Sequence, residues 1–192
     1  LVNVTAIATD LEVDINLGSP KFSQKQGDNG WYFCEHSSGV ISDLEWSDDI
    51  SGWTSSGDVP PRILKNELLP GATKDLCFKF VPNQGGLYSL SWDIAWIYGA
   101  DRSSDGMRLT VLNNGELLWD RDLKIAEPSD CKVTVMLEAG DVVEFRANCK
   151  KNRAYDSFTG FPTVELVGIF YQKDENKQIG RAVQQECRDR YR

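Results

Sequence analysis

Apolar and polar residues alternate with a period of two along most of this chain, and such a pattern predicts β-strands. Residues 11–17 and 75–81 each put apolar side chains on one face and polar side chains on the other. The longest run, residues 87–99, repeats the pattern over six positions: Tyr88, Leu90, Trp92, Ile94, Trp96 and Tyr98. We therefore predict one long strand there, with these six side chains on a common face.

A hairpin is predicted around Asn114 and Gly115, because a two-residue Asn-Gly turn is a strong hairpin signal. A three-residue loop with Gly115 in the left-handed region gives a better pairing of apolar positions across the hairpin. It places Val111 on the same face as Leu117 and Trp119, so that all three side chains meet the core.

A second hairpin is predicted across Ala139 and Gly140, and residues 161–172 are apolar on both faces, which favours a central strand. No helical period appears before residue 172, and turn signals recur between short strands. The pattern predicts an all-β fold, a two-sheet antiparallel β-sandwich of jelly-roll type, over residues 1–172. Residues 173–192 are polar and predict a short helical or irregular C-terminal appendage or linker.

Residues 38–75 break the alternation. They are rich in Ser, Gly, Asp and Pro and hold only scattered apolar positions. A long excursion of this kind in a compact domain is usually functional or folds over one face of the domain.

The composition is that of an ordinary globular domain: 192 residues, 41% hydrophobic and 26% charged. The net charge of −8 and the scattered basic residues argue against nucleic acid as a partner, although a local basic pocket remains compatible with them. No apolar run has the length of a membrane span, so no membrane partner is expected. The chain begins at Leu1 without a signal peptide, so we expect a module of a longer protein.

Five cysteines leave at least one free thiol, and their spacing fits no zinc motif. By strand parity, Cys131 and Cys149 share faces with apolar neighbours. Two alternatives follow for this pair: small buried hydrophobic residues, which the parity favours, or a disulfide. Cys77 alternates with core positions and is expected to face outward.

An ordered set of motifs resembles a known family. It runs from "FSQKQGDNGWYF" through "PPRI", "FVPNQGGLYSLSWDI" and "SDGMRLTVLNNGELLW" to "VTVMLEAGDVVEFRA" and "NRAYDSF". Over about residues 22–170 it looks like the β-jelly-roll, carbohydrate-binding-module-like domains of secreted bacterial polysaccharide-degrading enzymes. The resemblance implies a non-catalytic, extracellular or cell-surface domain that binds a polysaccharide or oligosaccharide beside an attached catalytic domain. It requires no cofactor and allows a structural calcium ion.

Glycan binding needs aromatic faces for sugar rings and polar side chains for hydroxyl groups. Trp53 lies in a polar segment and is the first candidate for an exposed platform, so its replacement should remove binding without unfolding the protein. In the first strand after "QGDNG", either Trp31 or Tyr32 can face outward, because successive side chains alternate. The full candidate ligand-binding set is Trp31, Tyr32, Trp53, Arg62, Trp96, Tyr98, Asp101, Arg102, Asp105, Tyr155 and Asp156.

Alternatives remain for several of these residues. Trp96 and Tyr98 could instead belong to the edge of the core, and Asp156 could cap a turn or ligate calcium. An enzyme is less favoured, because His36 is the only histidine, it is expected in a loop, and neither a nucleophile motif nor a glucanase signature is present. Two other functions stay open: a structural or adhesion module that binds protein, and a glycoside hydrolase or polysaccharide lyase. The glycan is expected to be of the plant cell-wall type, with β-glucan as the first guess.

Overall fold

The computed structural model describes residues 15–99 and 102–169, and every regular element in these ranges is a β-strand. In chain order the strands are β1 (Ile15–Gly18), β2 (Trp31–Ser37), β3 (Val40–Asp43), β4 (Glu45–Ser47), β5 (Gly52–Thr54), β6 (Arg62–Leu64), β7 (Glu67–Leu69), β8 (Asp75–Phe80), β9 (Gly86–Trp92), β10 (Ala95–Trp96), β11 (Met107–Asn113), β12 (Glu116–Leu123), β13 (Cys131–Leu137), β14 (Val143–Asn148), β15 (Phe158–Thr159) and β16 (Thr163–Gly168). The predicted appendage at 173–192 lies outside the described residues, and the boundary at 172 stays a prediction.

The front layer is a six-stranded sheet with the order β12-β11-β14-β8-β2-β3. All of its described pairs are antiparallel. Alternation decides which side chains reach the core: Leu76, Phe78 and Phe80 of β8 are all buried, as predicted.

The back layer combines a four-stranded sheet, β1-β16-β9-β13, with a second six-stranded sheet, β10-β15-β7-β6-β5-β4. The two sheets are parts of one bent layer, because the β10–β15 pairing continues the register of the β9–β16 pairing. Ser91 lies opposite Thr163 before the interruption, and Ala95 lies opposite Thr159 after it. The predicted antiparallel β-sandwich is therefore confirmed, with the back layer interrupted near residues 93 and 160–162.

Aromatic rings from both layers interlock in the core. Trp92 of the back layer lies in edge contact with Phe78 and Phe145 of the front layer, with ring centroids 6.0 and 5.9 Å apart. Trp92 also meets Phe158 at 6.1 Å. Such edge-to-face pairs add roughly 0.5–1.5 kcal/mol each beyond the burial of their surface, so this ring cluster holds the two layers in register.

The long strand predicted over residues 87–99 is wrong beyond Trp92. Tyr88, Leu90 and Trp92 are fully buried as expected, but the chain leaves the ladder at Asp93 and Ile94 before β10 begins. The predicted face is nevertheless kept at Ile94, which is buried, and at Trp96, which packs against the core, whereas Tyr98 is exposed. This bend carries Trp96 and the residues after it to the edge of the back layer.

The first hairpin has the two-residue turn, and the three-residue alternative is wrong. Asn114 and Gly115 both have positive φ, 50° and 81°, which is the requirement of the tight turn that suits the twist of paired strands. An irregularity between Val111 and Leu112 then changes the parity, so that Val111 pairs with Trp119 while Leu117 is exposed. The prediction for Trp119 is confirmed, and that for Leu117 is not.

The hairpin predicted across Ala139 and Gly140 is also wrong. β13 pairs with β9 in the back layer, whereas β14 pairs with β8 and β11 in the front layer. The connection is an arch between layers. Alternation predicted both strands correctly, but it carries no information about which strands pair.

Residues 38–75 fold over one side of the sandwich, as one of the two predictions for them stated. They contain β3, which joins the front layer, and β4 to β7, which form most of the second six-stranded sheet, in the back layer. Their scattered apolar positions serve as anchors: Leu44, Trp53, Ile63 and Leu68 are all buried.

The described cysteines are buried and unpaired, which confirms the favoured alternative for Cys131 and Cys149. Burial raises the pKa of Cys131 to about 12 and that of Cys149 to about 11, so both thiols stay protonated at neutral pH. Cys77 lies on the outer side of the front layer but is fully buried, since Cys34 and Arg146 flank it on the neighbouring strands. The predicted outward orientation of Cys77 is therefore correct, but its neighbours on that face cover it completely.

Candidate functional site

Two tryptophans of the predicted set belong to the core. Trp31 is 2% exposed and its ring packs against Phe80 and Phe145, with centroids 5.0 and 5.9 Å away. Trp53 is 3% exposed and stacks on Phe33 at 5.2 Å. Neither ring can offer its face to a ligand in this structure.

The exposed platform predicted at Trp53 is wrong because its polar segment is itself a strand. β5 lies between β4 and β6, and this pairing turns the Trp53 side chain inward. The indole Nε1 donates a hydrogen bond to the carbonyl oxygen of Ser23 at 2.8 Å, which satisfies the only polar atom of the ring.

Of the two candidates in β2, Trp31 and Tyr32, it is Tyr32 that faces outward. The Lys79 ammonium group lies 4.4 Å from the centre of its ring, and Lys79 also donates a hydrogen bond to Asp43 at 3.3 Å. One face of this ring is thus occupied by a cation. Tyr32 remains a candidate, on the outer side of the front layer and away from the other aromatic candidates.

His36 also lies on this outer side, in β2 and not in a loop as predicted. Its Nδ1 is 3.2 Å from the Asp75 carboxylate, which accepts a second hydrogen bond from Asn148 at 2.5 Å. The histidine is therefore held within a polar network that links three neighbouring strands of the front layer.

The remaining aromatic candidates meet at the edge of the back layer. Tyr98 and Tyr155 are each 37% exposed, and their rings form an edge-to-face pair with centroids 5.3 Å apart. The guanidinium carbon of Arg102 lies 5.5 Å from the centre of the Tyr155 ring. The sequence placed Tyr98 and Arg102 in one stretch and Tyr155 in another, and the fold brings the two stretches together.

Backbone pairing sets the position of this tyrosine pair. The β10–β15 ladder continues for one more bond, from the Ile97 amide to the Ser157 carbonyl at 3.0 Å. This bond holds the segment that carries Tyr98 against the segment that carries Tyr155. Trp96 is half-buried, and its Nε1 donates to the Glu127 carbonyl at 2.7 Å, so it is a wall of the site and not a free platform.

Two open cavities lie on either side of Tyr98, which lines both. The Trp96 cavity, about 390 Å³, has an apolar lining that includes Ile94, Trp96 and Ile97. The Tyr155 cavity, about 450 Å³, adds polar groups from Glu67 and Arg153. Both are shallow depressions that open widely to solvent.

Three residues that line these cavities have left-handed backbone: Val59 (φ 55°), Ala126 (φ 65°) and Tyr155 (φ 68°). A positive φ is unusual for an alanine and a clear outlier for a bulky or β-branched residue. Such conformations cost about 1–3 kcal/mol each and cluster at ligand sites, where the surrounding structure enforces them. The left-handed backbone conformations at this edge therefore lower the stability of the fold.

Asp156 directly follows Tyr155 of the site, and its side chain points into the protein. It is fully buried, its Oδ1 accepts a hydrogen bond from Ser104 Oγ at 2.6 Å, and Ser104 in turn accepts one from the Gly106 amide at 2.8 Å. Its Oδ2 is buried and has no hydrogen-bond partner. Burial raises the pKa of Asp156 to about 6, although the Ser104 hydrogen bond opposes this shift.

Asp156→Asn should therefore change how stability depends on pH. The raised pKa means that the folded protein favours the protonated carboxyl, so the contribution of Asp156 is greatest below about pH 4 and is lost as the pH rises through about 6. We expect the variant to match the wild type at pH 4.5 and to be more stable by about 1–3 kcal/mol at pH 7.5. Urea unfolding of both proteins at the two pH values measures this; a difference that does not change with pH would contradict it.

The other charged candidates have separate positions. The Asp105 carboxylate accepts a hydrogen bond from the Lys151 amide at 3.0 Å, which fixes the loop before β11. Arg62 is exposed on β6 and lines neither cavity. Asp101 lies outside the described residues. Glu67 and Ser157 were missed by the sequence reasoning, although alternation in β7 already implied an outward Glu67.

The calcium ion allowed by the resemblance stays a prediction. Within residues 15–99 and 102–169, no group of three or more His, Cys, Asp or Glu side chains could hold a metal ion. The free Oδ2 of Asp156 is a single oxygen, whereas calcium takes six to eight.

Fold and site together define an all-β sandwich with an aromatic surface site at one edge. The described part of the chain has no helix with the length and hydrophobicity of a membrane span.

Comparison with known proteins identified no matching family model and no matching curated protein. Several solved structures are similar in fold. A CBM51 domain from the Clostridium perfringens GH95 enzyme, in complex with methyl-galactose, matches 80% of this chain and 99% of its own at 8% identity, with a TM-score of 0.38. The GH26-CBM35 β-(1,4)-mannanase of Podospora anserina matches 85% and 29% at 12% identity (TM-score 0.36), and rabbit GITRL 53% and 76% at 15% identity (TM-score 0.34). Likenesses this weak carry no argument about function.

Proposed function

We propose that this chain is a non-catalytic carbohydrate-binding domain that holds a glycan at the back-layer edge. The observation that carries the proposal is the exposed pair of Tyr98 and Tyr155 between two open cavities. A tyrosine ring gives an apolar face for the C–H groups of a sugar, and its hydroxyl group can bond with sugar hydroxyls. Polar groups around the rings, such as Asn152 and Glu67, supply the directional contacts.

The shared position of Tyr98 suggests how a chain of sugars would lie. One sugar stacks in the Trp96 cavity, and a neighbouring sugar lies in the Tyr155 cavity. The ring of Tyr98 separates the two positions and contacts both. This arrangement suits an oligosaccharide or the end of a polysaccharide better than a single monosaccharide.

The finer assignment follows the family resemblance. We propose a glycan of the plant cell-wall type, with β-glucan as the first member to test, and an extracellular or cell-surface domain attached to a polysaccharide-degrading enzyme. The role of the domain is then to keep that enzyme on its substrate.

Tyr98→Ala is expected to weaken glycan binding by at least about tenfold, because a central aromatic anchor typically contributes more than 1.4 kcal/mol. Affinity gel electrophoresis against glucan, xylan, mannan and pectin measures the loss. Tyr32→Ala removes the same side chain from the other remaining aromatic candidate, on the outer side of the front layer; it should leave binding unchanged, and a loss in this variant alone would place the site there. Equal losses in both variants would place the site elsewhere.

The same panel separates the alternatives. If the wild-type protein is not retarded by any of these glycans, the proposal is wrong, and a structural or adhesion module becomes the better reading. Release of reducing sugar from the panel would instead indicate a hydrolase, and formation of unsaturated products a lyase.

A further inference from the structure

The last strand of the four-stranded sheet, β13, forms an edge of the back layer. Among the described strands only β9 pairs with it, and the register is unbroken from Cys131 to Leu137. An edge strand presents backbone amide and carbonyl groups that have no ladder partner, and a long, regular edge is a template for a further strand. β13 therefore has the geometry that strand addition requires.

The other ends of the described sheets are protected in ways that β13 is not. The edge strands β1, β3, β4 and β10 have four residues or fewer. The remaining edge, β12, has eight residues, but it carries four charged residues and an irregular register. β13 has seven residues with no proline, no glycine, no irregularity and one charge, at Lys132. Short length, charges and irregularities are the usual means by which proteins prevent edge pairing.

The side chains of β13 leave apolar surface uncovered at this edge. Val133 and Val135 point toward the core, yet both are only partly buried, because no described strand pairs with β13 on its far side. On the outer face, Met136 is 50% exposed. A strand added beside β13 would cover the two valines and part of Met136, so the pairing would bury apolar surface as well as satisfy backbone groups.

A second copy of β13 fits this edge in one register. An antiparallel pairing about Thr134 overlaps all seven residues and keeps the outward side chains of both strands on one face, because opposite residues then differ by an even number of positions. Thr134 lies opposite its own copy, and Val133 lies opposite the partner's Val135. Lys132 lies opposite the partner's Met136. No charge within the strand meets a like charge, and threonine and β-branched pairs of this kind are favourable.

The charges just outside the strand are compatible with this register. Lys132 lies diagonal to the partner's Glu138, twice by symmetry, and a long side chain reaches a diagonal neighbour on the same face. Asp130 would lie opposite the same glutamate, but it already forms an ion pair with Arg121 at 2.6 Å. The edge is therefore complementary to itself in shape, in apolar surface and in charge.

We propose that this domain forms a symmetric dimer in which β13 pairs antiparallel with β13 of a second copy, centred on Thr134. The four-stranded sheets of the two protomers then join into one eight-stranded sheet. The inference does not depend on glycan binding, but it bears on it. Each protomer brings its own Tyr98 and Tyr155, so the dimer carries two copies of the proposed site, and two linked sites can raise the affinity for a polymer without a new contact.

Sedimentation equilibrium measures the association. Between about 1 and 200 μM, the wild-type protein should shift from the 21.6 kDa of one chain toward twice that mass. The buffer contains about 150 mM salt, which screens the repulsion between two chains of net charge −8.

Thr134→Lys puts like charges opposite each other across the symmetry axis and should weaken the dimer by at least about tenfold. Thr134 is exposed, so this replacement should leave the fold intact. A mixture of the Thr134→Lys and Thr134→Asp proteins should associate more tightly than Thr134→Lys alone, because opposite charges then meet. Val40→Lys is the matched control: it adds the same charge to another edge strand, β3, and should leave the association unchanged.

Thr134→Cys tests the register. Opposite residues of an antiparallel pair have Cα atoms about 4.5–5.5 Å apart, which is within disulfide range, so glutathione disulfide should link this variant into a covalent dimer. Met136→Cys lies on the same face and should not link to itself, because the partner's Lys132 lies opposite it.

A wild-type protein that stays monomeric up to about 200 μM overturns the inference. If hydrogen exchange then shows that the β13 amides are protected, another segment of the chain covers the edge. An unchanged association of Thr134→Lys, or an equal yield of covalent dimer from both cysteine variants, also overturns it. None of these outcomes changes the proposed glycan binding, which Tyr98→Ala tests separately.

Discussion

Trp53→Ala is expected to lower the free energy of unfolding by about 3–5 kcal/mol, the usual cost of truncating a buried tryptophan. The ring is 3% exposed, stacks on Phe33 and bonds through Nε1 to Ser23. Domains of this kind have about 5–15 kcal/mol of stability in total, so the loss is a large share of it and should lower the unfolding midpoint clearly. Urea unfolding followed by circular dichroism measures the loss.

This result reverses the expectation from sequence, in which Trp53→Ala removes binding and leaves the fold intact. Trp53→Phe should lie between the variant and the wild type, since it keeps most of the packing and loses only the hydrogen bond. Tyr98→Ala is the exposed control and should change stability by less than about 1 kcal/mol. A Trp53→Ala protein with the wild-type unfolding midpoint would show that the ring is not part of the core.

Gly160→Ala is expected to cost about 2–5 kcal/mol, from left-handed strain and from overpacking together. Gly160 has φ of 103°, and a Cβ atom there would lie 2.1 Å from the carbonyl oxygen of Asp93. Both segments are backbone at the interruption of the back layer, so neither can yield by rotating a side chain. The β10–β15 ladder would have to shift, and Tyr98 with it.

Two other glycines separate the causes of this effect. Gly115 has φ of 81° but open space around it, so Gly115→Ala reports strain alone. Gly85 has no left-handed φ and its nearest neighbour would lie 3.6 Å away, so Gly85→Ala should be close to neutral. If thermal unfolding shows the same loss for Gly160→Ala as for Gly115→Ala, the close approach to Asp93 contributes nothing.

Local alternation was enough to predict most of the fold. It assigned Phe78 and Phe80 to the core and left Tyr32 facing out once Trp31 was buried. It also showed that residues 107–123 contain a hairpin. These properties depend on neighbours two residues apart, which the sequence displays directly.

The errors arose where a distant segment decides the outcome. The long strand ends at Trp92, and it is Gly160, far along the chain, that packs against Asp93 there. Ala139 and Gly140 connect two layers because the strand before them, β13, pairs with β9 and the strand after them, β14, pairs with β8. The alternation of apolar and polar residues shows which face of a strand is buried, but not which strands it pairs with.

The candidate site was predicted in part. Tyr98, Arg102 and Tyr155 were chosen because aromatic and charged residues lie together at strand ends, and the fold brings them into contact. Trp53 failed as a candidate because polar flanks predicted a loop, whereas short pairings with β4 and β6 make the segment a strand.

The walls of the two cavities come from four stretches of chain, near residues 59–69, 94–99, 126–128 and 152–157. No single stretch carries the site, so it cannot be transplanted as a peptide loop onto another scaffold. Limited proteolysis within any one of the four would release no active fragment. To transfer this recognition surface to another protein, the whole sandwich would have to be transferred. Each wall could then be varied independently, because each belongs to a different stretch of the gene.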